Sequence, residues 1–501
     1  MNRMNAFPEA RRLGLVAMIV LLAAVNVFAQ NPLTPEGRFL ADPAVRMGAD
    51  GTLYAIGSVD VEADGYCSTR YAVLASRDLG LTWTWHPDVF SSAGQGPGGV
   101  DGQIDGVPYN DRILFAPDWL PGPDGWTLYY CQPDRVNAEG VATASGPLGP
   151  FTGGEPLPTL GYAEIDPAVY RDDDGSVYYL WGQFSVKMAR LQPDGRSLDS
   201  ATLVKDLLTE REHGFHEGVS MAKRNGLYYL VYAYMGRADR PTGLAWAWSR
   251  QPFGPYAFGG VLIDNDGCDP ATWNNHGCIA PLDAEGEQWA VFYHRATQSS
   301  QSMRKACAEP IAFDAEGRVA EVEMTSQGLG PALSAHRRIE ARLACLLHGQ
   351  GRVGPLPHAS ESEASLAPDS MSGEGLIGFG HRDRAAFKYL DFGQGVDSVR
   401  LRVLAAESPA TLLLRLDQPW GPVIARVELP ASSQWQSVQA AVSGAVAKGA
   451  LSTAGAASAP EKVAQDRPGP SPENQAHALW VQVVVPNDSD ATLALDWLEF
   501  W

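Results

Sequence analysis

Five stretches of the chain share one pattern: ADGTLYAIGS (49–58), PDGWTLYYCQ (123–132), DDGSVYYLWG (173–182), KRNGLYYLVYAY (223–234) and AEGEQWAVFYHR (284–295). Each is a polar turn containing glycine, followed by an aromatic-rich run suited to a β-strand. The turn glycines are Gly51, Gly125, Gly175, Gly226 and Gly286, spaced by 74, 50, 51 and 60 residues. Helical periodicity is nearly absent over this span. Repeats of this length, each holding several short strands, predict the blades of a propeller. A β-sandwich or a solenoid is the alternative.

A second regularity lies just upstream of the hairpins. Asp42, Asp166 and Glu217 each precede their turn glycine by nine residues, Asp118 by seven and His276 by ten. If every hairpin occupies the same place in its blade, and the innermost strand lines the channel, these side chains converge on one axis. Glutamate reaches one methylene farther than aspartate, which suits Glu217 to donating a proton to a glycosidic oxygen. Crowded carboxylates raise each other's pKa, so one stays protonated near neutral pH while the others stay charged. The plainer alternative is that Asp-Pro and Glu-Gly are turn formers at strand ends.

The composition narrows the class of partner. With 45% hydrophobic and 19% charged residues, a core is available and disorder is not expected. A net charge of -20 opposes binding to a nucleic acid backbone. The 14 tryptophans can pack cores or stack on the flat faces of sugars. At the N-terminus, Arg3, Arg11 and Arg12 precede LGLVAMIVLLAAVNV, with Val27 and Ala29 as small residues before a cut. This reads as a signal peptide over 1–29, and its removal takes the charge to about -22. Periplasmic or extracellular placement follows. No later apolar run is long enough for a membrane helix, and no motif marks an oligomeric state. The six cysteines (67, 131, 268, 278, 307 and 345) include no CxxC, so zinc or redox chemistry is not expected. Export permits a disulfide, with Cys268 and Cys278 the nearest pair; buried free thiols are the alternative.

The three acids stand in ADPAV, IDPAV and HEGVS, separated by 124 and 51 residues. With FAPDW and NNHG…FYHR, they make residues 35–325 resemble glycoside hydrolase family 43. The resemblance implies an all-β, five-bladed β-propeller and an inverting mechanism. It assigns Asp42 as general base, Asp166 as the residue that tunes and orients the acid, and Glu217 as general acid. It also implies a substrate contact from Arg295, with a structural ion pair as the alternative, and makes His294 an axial residue able to hold calcium or water, with a hydrogen-bonded core histidine as the alternative. Asn275 and His276 are further substrate-binding candidates facing the pocket. No cofactor is needed for the chemistry, and a structural calcium is the only metal expected. Asp118 joins the set by position, and Trp119 and Phe215 are candidate apolar walls for the sugar, Trp119 alternatively packing between blades. Asp78 and Trp83, in RDLGLTW, are expected to be structural, and 172–174 a solvated turn.

An oligo- or polysaccharide is the expected partner. Terminal α-L-arabinofuranose is the first choice of substrate, with xylose, galactofuranose or galactose as alternatives. The long segment SSAGQGPGGVDGQIDGVPYNDR is expected to block one side of the channel and favour exo action. A non-catalytic carbohydrate-binding propeller has no need of an acid beside a base. A lyase would prefer Lys, Tyr or His as base.

Residues 338–501 change character. AFKYLDFG, SVRLRVLA, ATLLLRLD, VIARVELP, ALWVQVVV and ATLALDWLEFW alternate apolar and polar residues and predict a β-sandwich, or jelly-roll. The run 353–376, rich in Pro, Ser and Gly, is expected to be a loop or a flexible edge. IEARL, SSQWQSV and LALDWLEF resemble pieces of a family 6 carbohydrate-binding module. Arg342 stands where a second acid is usual beside Glu340 and Asp496, which weakens the expectation of calcium there. Trp435 is either a stacking platform or a core residue.

Overall fold

Each of the five turn glycines forms a hairpin corner with positive φ: 77° at Gly51, 140° at Gly125, 84° at Gly175, 76° at Gly226 and 69° at Gly286. A side chain is strained in that region, which is why glycine recurs there. The computed structural model describes residues 26–28, 30–61, 65–94, 104–235, 239–357, 373–405, 408–444, 446–447, 476–485 and 491–501. Most of the expected signal peptide, and residues 95–103 of the long segment expected to block the channel, lie outside them.

The hairpins nucleate five antiparallel sheets in chain order. The first holds β1 (Asn26–Phe28), β2 (Ala41–Met47), β3 (Leu53–Ser58), β4 (Arg70–Ser76) and β5 (Thr82–Ser91). The second holds β6 (Asp118–Gly122), β7 (Gly125–Cys131), β8 (Glu139–Ala144) and β9 (Thr152–Pro156). The third is β10 (Ala168–Arg171), β11 (Val177–Trp181) and β12 (Lys187–Arg190). The fourth is β13 (Phe215–Arg224), β14 (Leu227–Tyr234), β15 (Gly243–Ser249) and β16 (Ala257–Asp264). The fifth is β17 (Cys278–Pro281), β18 (Trp289–Thr297) and β19 (Ser300–Ile311). The lead strands β2, β6, β10, β13 and β17 each touch the next, and β17 touches β2. The arrangement is propeller-like.

The aromatic-rich runs pack the seams between sheets. Tyr54 meets Trp126 across the first seam, Tyr129 meets Tyr179 across the second, and Tyr178 meets Phe253 across the third. Tyr229 and Phe313 close the fourth, and Trp83 and Phe292 join the first sheet to the fifth. Ring centroids stand 5.4–6.1 Å apart in these pairs, the range in which edge-to-face aromatics gain about 0.5–1.5 kcal/mol beyond burial. Trp83 is thus structural, and Asp78 caps its own turn by accepting from the Thr82 N–H at 2.8 Å. Asp172 departs from the expected solvated turn: it is buried and bonded to Lys223 Nζ at 2.6 Å and the Tyr228 hydroxyl at 2.6 Å. All six cysteines are buried and free.

A separate β-domain follows, with two six-stranded sheets around one aliphatic core that includes Leu401, Leu412, Leu479 and Leu498. All six strands read from the sequence are present, among them Ser398–Leu404, Ala410–Leu416 and Leu493–Phe500. The run expected to be a loop differs at its ends, where Arg352–Pro355 pairs with Glu374–Phe379. Trp435 lies beside the Arg402 guanidinium, 4.7 Å from its ring centre, and outside the aliphatic core. Among the described residues no helix is long and apolar enough to cross a membrane.

One buried ion pair joins the domains. Lys305 Nζ on β19 bonds Glu374, and both side chains are 1% exposed. Glu374 Oε1 also accepts the Gly37 N–H at 3.2 Å. Removing one partner leaves the other charge buried and uncompensated. Lys305→Met is therefore expected to cost about 3–5 kcal/mol in urea unfolding. Lys305→Met with Glu374→Leu should recover most of that loss.

Candidate active site

The lead strands begin at a common cavity of about 420 Å³, lined by Asp42, Ala116, Asp166, Glu217, His276 and Arg304, among others. Its size falls within the usual range for small-ligand sites. Asp42 has φ 56° and Asp166 φ 63°, both left-handed. Aspartate tolerates that region better than most residues. In the fourth sheet the left-handed residue is Gly218, φ 65°, where an added Cβ would come within 2.9 Å of His276 Nδ1. The β2–β3 and β13–β14 registers shift at these same places. Such bulges turn side chains out of the ladder and into the cavity.

Asp42 is buried in a cationic setting. Its Oδ1 accepts from Arg304 Nη1 at 3.1 Å and its Oδ2 from the Ser58 hydroxyl at 2.8 Å. His294 Nδ1 lies 3.3 Å from Oδ1, and His276 Nδ1 lies 3.8 Å from it. Burial alone would push the carboxyl up. The Arg304 guanidinium, with His294 and His276, overrides that and holds it well below the usual carboxylate range. Arg304 is itself fixed by Asp60, through Nε at 2.9 Å and Nη2 at 3.0 Å. Tyr66 places its ring beneath the guanidinium, 5.0 Å away.

Asp166 is pushed the other way. Burial comes first, then the charges of Glu217, Asp42 and Glu139, and together they raise it well above the usual range. Its backbone N–H donates to Cys131 Sγ at 3.3 Å. Glu217 is gripped by two amides: Gln183 Nε2 donates to Oε2 at 2.9 Å and Asn274 Nδ2 to Oε1 at 3.2 Å. One pocket thus holds carboxylates in opposed electrostatic settings, the arrangement that separates an acid from a base.

His276 lines the cavity as the sequence predicts, and burial keeps its imidazole below its ordinary pKa. Several other expected contacts do not reach the cavity. Asp118 turns to Arg46 at 2.7 Å and accepts the Val169 N–H at 2.9 Å, tying three sheets together. Trp119 is buried against Trp126 and Phe151 in the first seam. Phe215 packs on Tyr232 in the core of the fourth sheet. Asn275 is buried, donating to the Thr242 carbonyl at 3.0 Å. Arg295 is committed to Glu309 at 3.1 Å, the Tyr293 hydroxyl at 2.9 Å and the Thr325 carbonyl at 2.8 Å. His294 does not fit a metal ligand, because both ring nitrogens are engaged. Nδ1 faces the Asp42 N–H at 3.3 Å and Nε2 the Asn274 carbonyl at 3.2 Å. In the second domain Asp496 is paired with Arg402, and Arg342 and Arg338 lie near Glu340, so this donor set also suits no divalent cation. Among the described residues no group of three or more His, Cys, Asp or Glu is placed to hold a metal.

The pocket also contains residues that sequence reasoning missed: Arg304, Tyr66, Phe115, Gln183, His216, Trp273 and Asn274. Arg304 alone left a signal, since RK interrupts the strand-like run SMRKACAEPI. A cation inside such a run needs a buried acid as partner.

Residues 29–319 match the family described as Glycosyl hydrolases family 43. The chain is 26% identical over 463 residues to a xylosidase/arabinosidase of Thermoclostridium stercorarium, across 82% of this chain and 93% of that protein. It is 27% identical over 327 residues to a β-D-galactofuranosidase of Aspergillus niger, across 61% and 88% respectively. A solved arabinoxylan arabinofuranohydrolase of Bacillus subtilis, in complex with cellotetraose, is similar over 94% of this chain and 97% of that one, with 20% identity and a TM-score of 0.49. The family match covers more than half of the sequence and contains all three pocket carboxylates, and on that ground the chain belongs to glycosyl hydrolase family 43.

Proposed function

We propose that the chain is an exported, exo-acting glycosidase that inverts the anomeric centre and releases terminal α-L-arabinofuranose from plant-type polysaccharide. One observation carries this reading: Asp42, Asp166 and Glu217, far apart in sequence, line one cavity in different electrostatic settings. In this reading residues 35–325 are a five-bladed propeller and residues 338–501 a jelly-roll sandwich related to family 6 sugar-binding modules. Residues 1–29 direct the protein to the periplasm or beyond.

Glu217 protonates the leaving glycosidic oxygen, its carboxyl oriented by Gln183 and Asn274. Asp42, kept ionised by Arg304, takes a proton from the water that attacks the opposite face of the sugar. That water needs acid and base about 6.5–9.5 Å apart. Asp166, raised by burial and by the charges of Glu217 and Asp42, is the residue that tunes and orients the acid. Positive charge growing on the ring carbon and oxygen is stabilised by the surrounding carboxylates. The names of the relatives support arabinofuranose, xylose and galactofuranose alike as the terminal sugar.

Glu217→Gln is expected to lose about 10²–10⁴-fold in kcat/KM on substrates with poor leaving groups, with an unchanged circular dichroism spectrum. Full turnover by this variant would remove Glu217 from the acid role. Proton NMR of the first sugar released by the wild type should show the inverted anomer; a retained anomer would overturn the mechanism. A panel of aryl arabinofuranoside, xyloside, galactofuranoside and galactoside should give its highest kcat/KM on arabinofuranoside.

The base must be charged, so activity falls as pH drops through the pKa of Asp42. Arg304 lowers that pKa and places the acid limb of the rate profile at low pH. In Arg304→Met burial pushes the carboxyl up and the limb moves to higher pH. Arg304→Lys, which keeps a charge, should shift it less.

A further inference from the structure

At the far end of the fourth sheet lies a groove of about 720 Å³ that the catalytic chemistry does not use. β13 begins at the active-site cavity with Glu217 and ends at the groove with Arg224. Seven residues of strand separate the two sites by about 20 Å. Tyr229 on β14 and Trp246 and Trp248 on β15 form one wall, with Tyr229 directly opposite Trp248 in the ladder. Arg250 continues the same face just past the strand, and the turn Asp314–Arg318 supplies the other wall.

Two features point to a polar, anionic occupant. Trp246 is 2% exposed and lines the groove, and its indole Nε1–H has no hydrogen-bond partner. Gly259 presses on the same ring, where an added Cβ would come within 2.4 Å of it, so the indole is held in place. A fixed, buried donor without a partner is costly unless a ligand supplies the acceptor. The second feature is charge. Among the described residues Arg224, Arg250 and Arg318 form no ion pair, in a chain of net charge -20. Arg224 Nε is also buried without a partner, its guanidinium lying 4.5 Å from the Phe313 ring centre. Two acids, Asp314 and Glu316, also line the groove, and among the described residues neither forms an ion pair with these arginines. Asp314 caps its own turn by accepting the Glu316 and Arg318 N–H groups at 3.0 and 2.8 Å, and Glu316 is exposed.

We infer that this groove binds a carboxylated sugar, a uronate branch on the oligosaccharide chain, at a site separate from the catalytic pocket. Arginine matches a carboxylate with paired N–H donors. Trp248, half-buried at the groove, offers a flat apolar face to the sugar ring, and the Trp246 N–H is left for a hydroxyl. Three arginines favour a carboxylated sugar over a neutral one, and a nucleic acid is opposed by the net charge. The groove holds an acidic polysaccharide to the enzyme while the distant pocket trims neutral ends. The ligand class rests on the polysaccharide reading above; the binding test does not depend on turnover.

The test is calorimetric titration of the full-length Glu217→Gln protein with a xylo-oligosaccharide carrying one glucuronic acid branch, and with the same oligosaccharide lacking it. The branched probe should bind about tenfold more tightly. Arg250→Ala/Arg318→Ala, both at exposed positions, should abolish that difference, and Trp248→Ala should weaken it. Hydrolysis of an aryl arabinofuranoside by the same substitutions in the otherwise wild-type protein should be unchanged, which reports folding and the catalytic reading separately. Equal affinity for the two probes would overturn the inference. So would a preference that survives in the double-arginine variant, or inorganic phosphate binding as tightly as the branched probe.

Discussion

The distance from a hairpin corner to the start of the strand that enters it governs this structure. Each corner requires a residue that accepts positive φ, and glycine supplies it five times. Once the corner is fixed, the residue nine positions upstream arrives at the cavity in four of the five sheets: Asp42, Ala116, Asp166 and Glu217. The left-handed turns at Asp42, Asp166 and Gly218 then redirect the chain locally, so side chains that a regular strand would aim at a neighbouring sheet face open space instead. Two of these left-handed residues are the aspartates where chemistry is proposed.

Much of this was legible because period and spacing survive in the sequence. The turn glycines and aromatic runs marked the sheets, and period-two alternation marked the strands of the second domain. The failures have local causes. Asp118 sits at an offset of seven, and the residue at nine is Ala116, which carries no chemical signal but lines the cavity. Phe215 and Asn275 are immediate neighbours of pocket residues, yet Phe215 turns into the core on Tyr232 and Asn275 to the Thr242 carbonyl. Arg295 and His294 lie in a fully buried strand, where a polar side chain must be paired inside the protein and is not available to a ligand. Gln183 and Asn274 were invisible because only the fold brings their amides to Glu217.

The electrostatic contrast within the pocket follows from surroundings rather than residue type. Asp42 and Asp166 are both buried aspartates, both left-handed, both followed by Pro-Ala-Val. Asp42 faces Arg304 and two imidazoles, while Asp166 faces other carboxylates, and their pKa values move in opposite directions. Asp60 takes part without lining the cavity: it holds Arg304 from behind, in position to bond Asp42.

Arg304 and Lys305 are consecutive residues of β19, and strand geometry sends them to opposite faces. One grips the pocket carboxylate; the other grips Glu374 in the second domain. The peptide plane between them is therefore shared by the carboxylate-lined cavity and the domain junction. Cutting the chain between domains would leave Lys305 searching for a counter-charge one bond from the residue that keeps Asp42 ionised. The appended β-domain is thus anchored to the very strand that carries Arg304, whether or not it touches sugar.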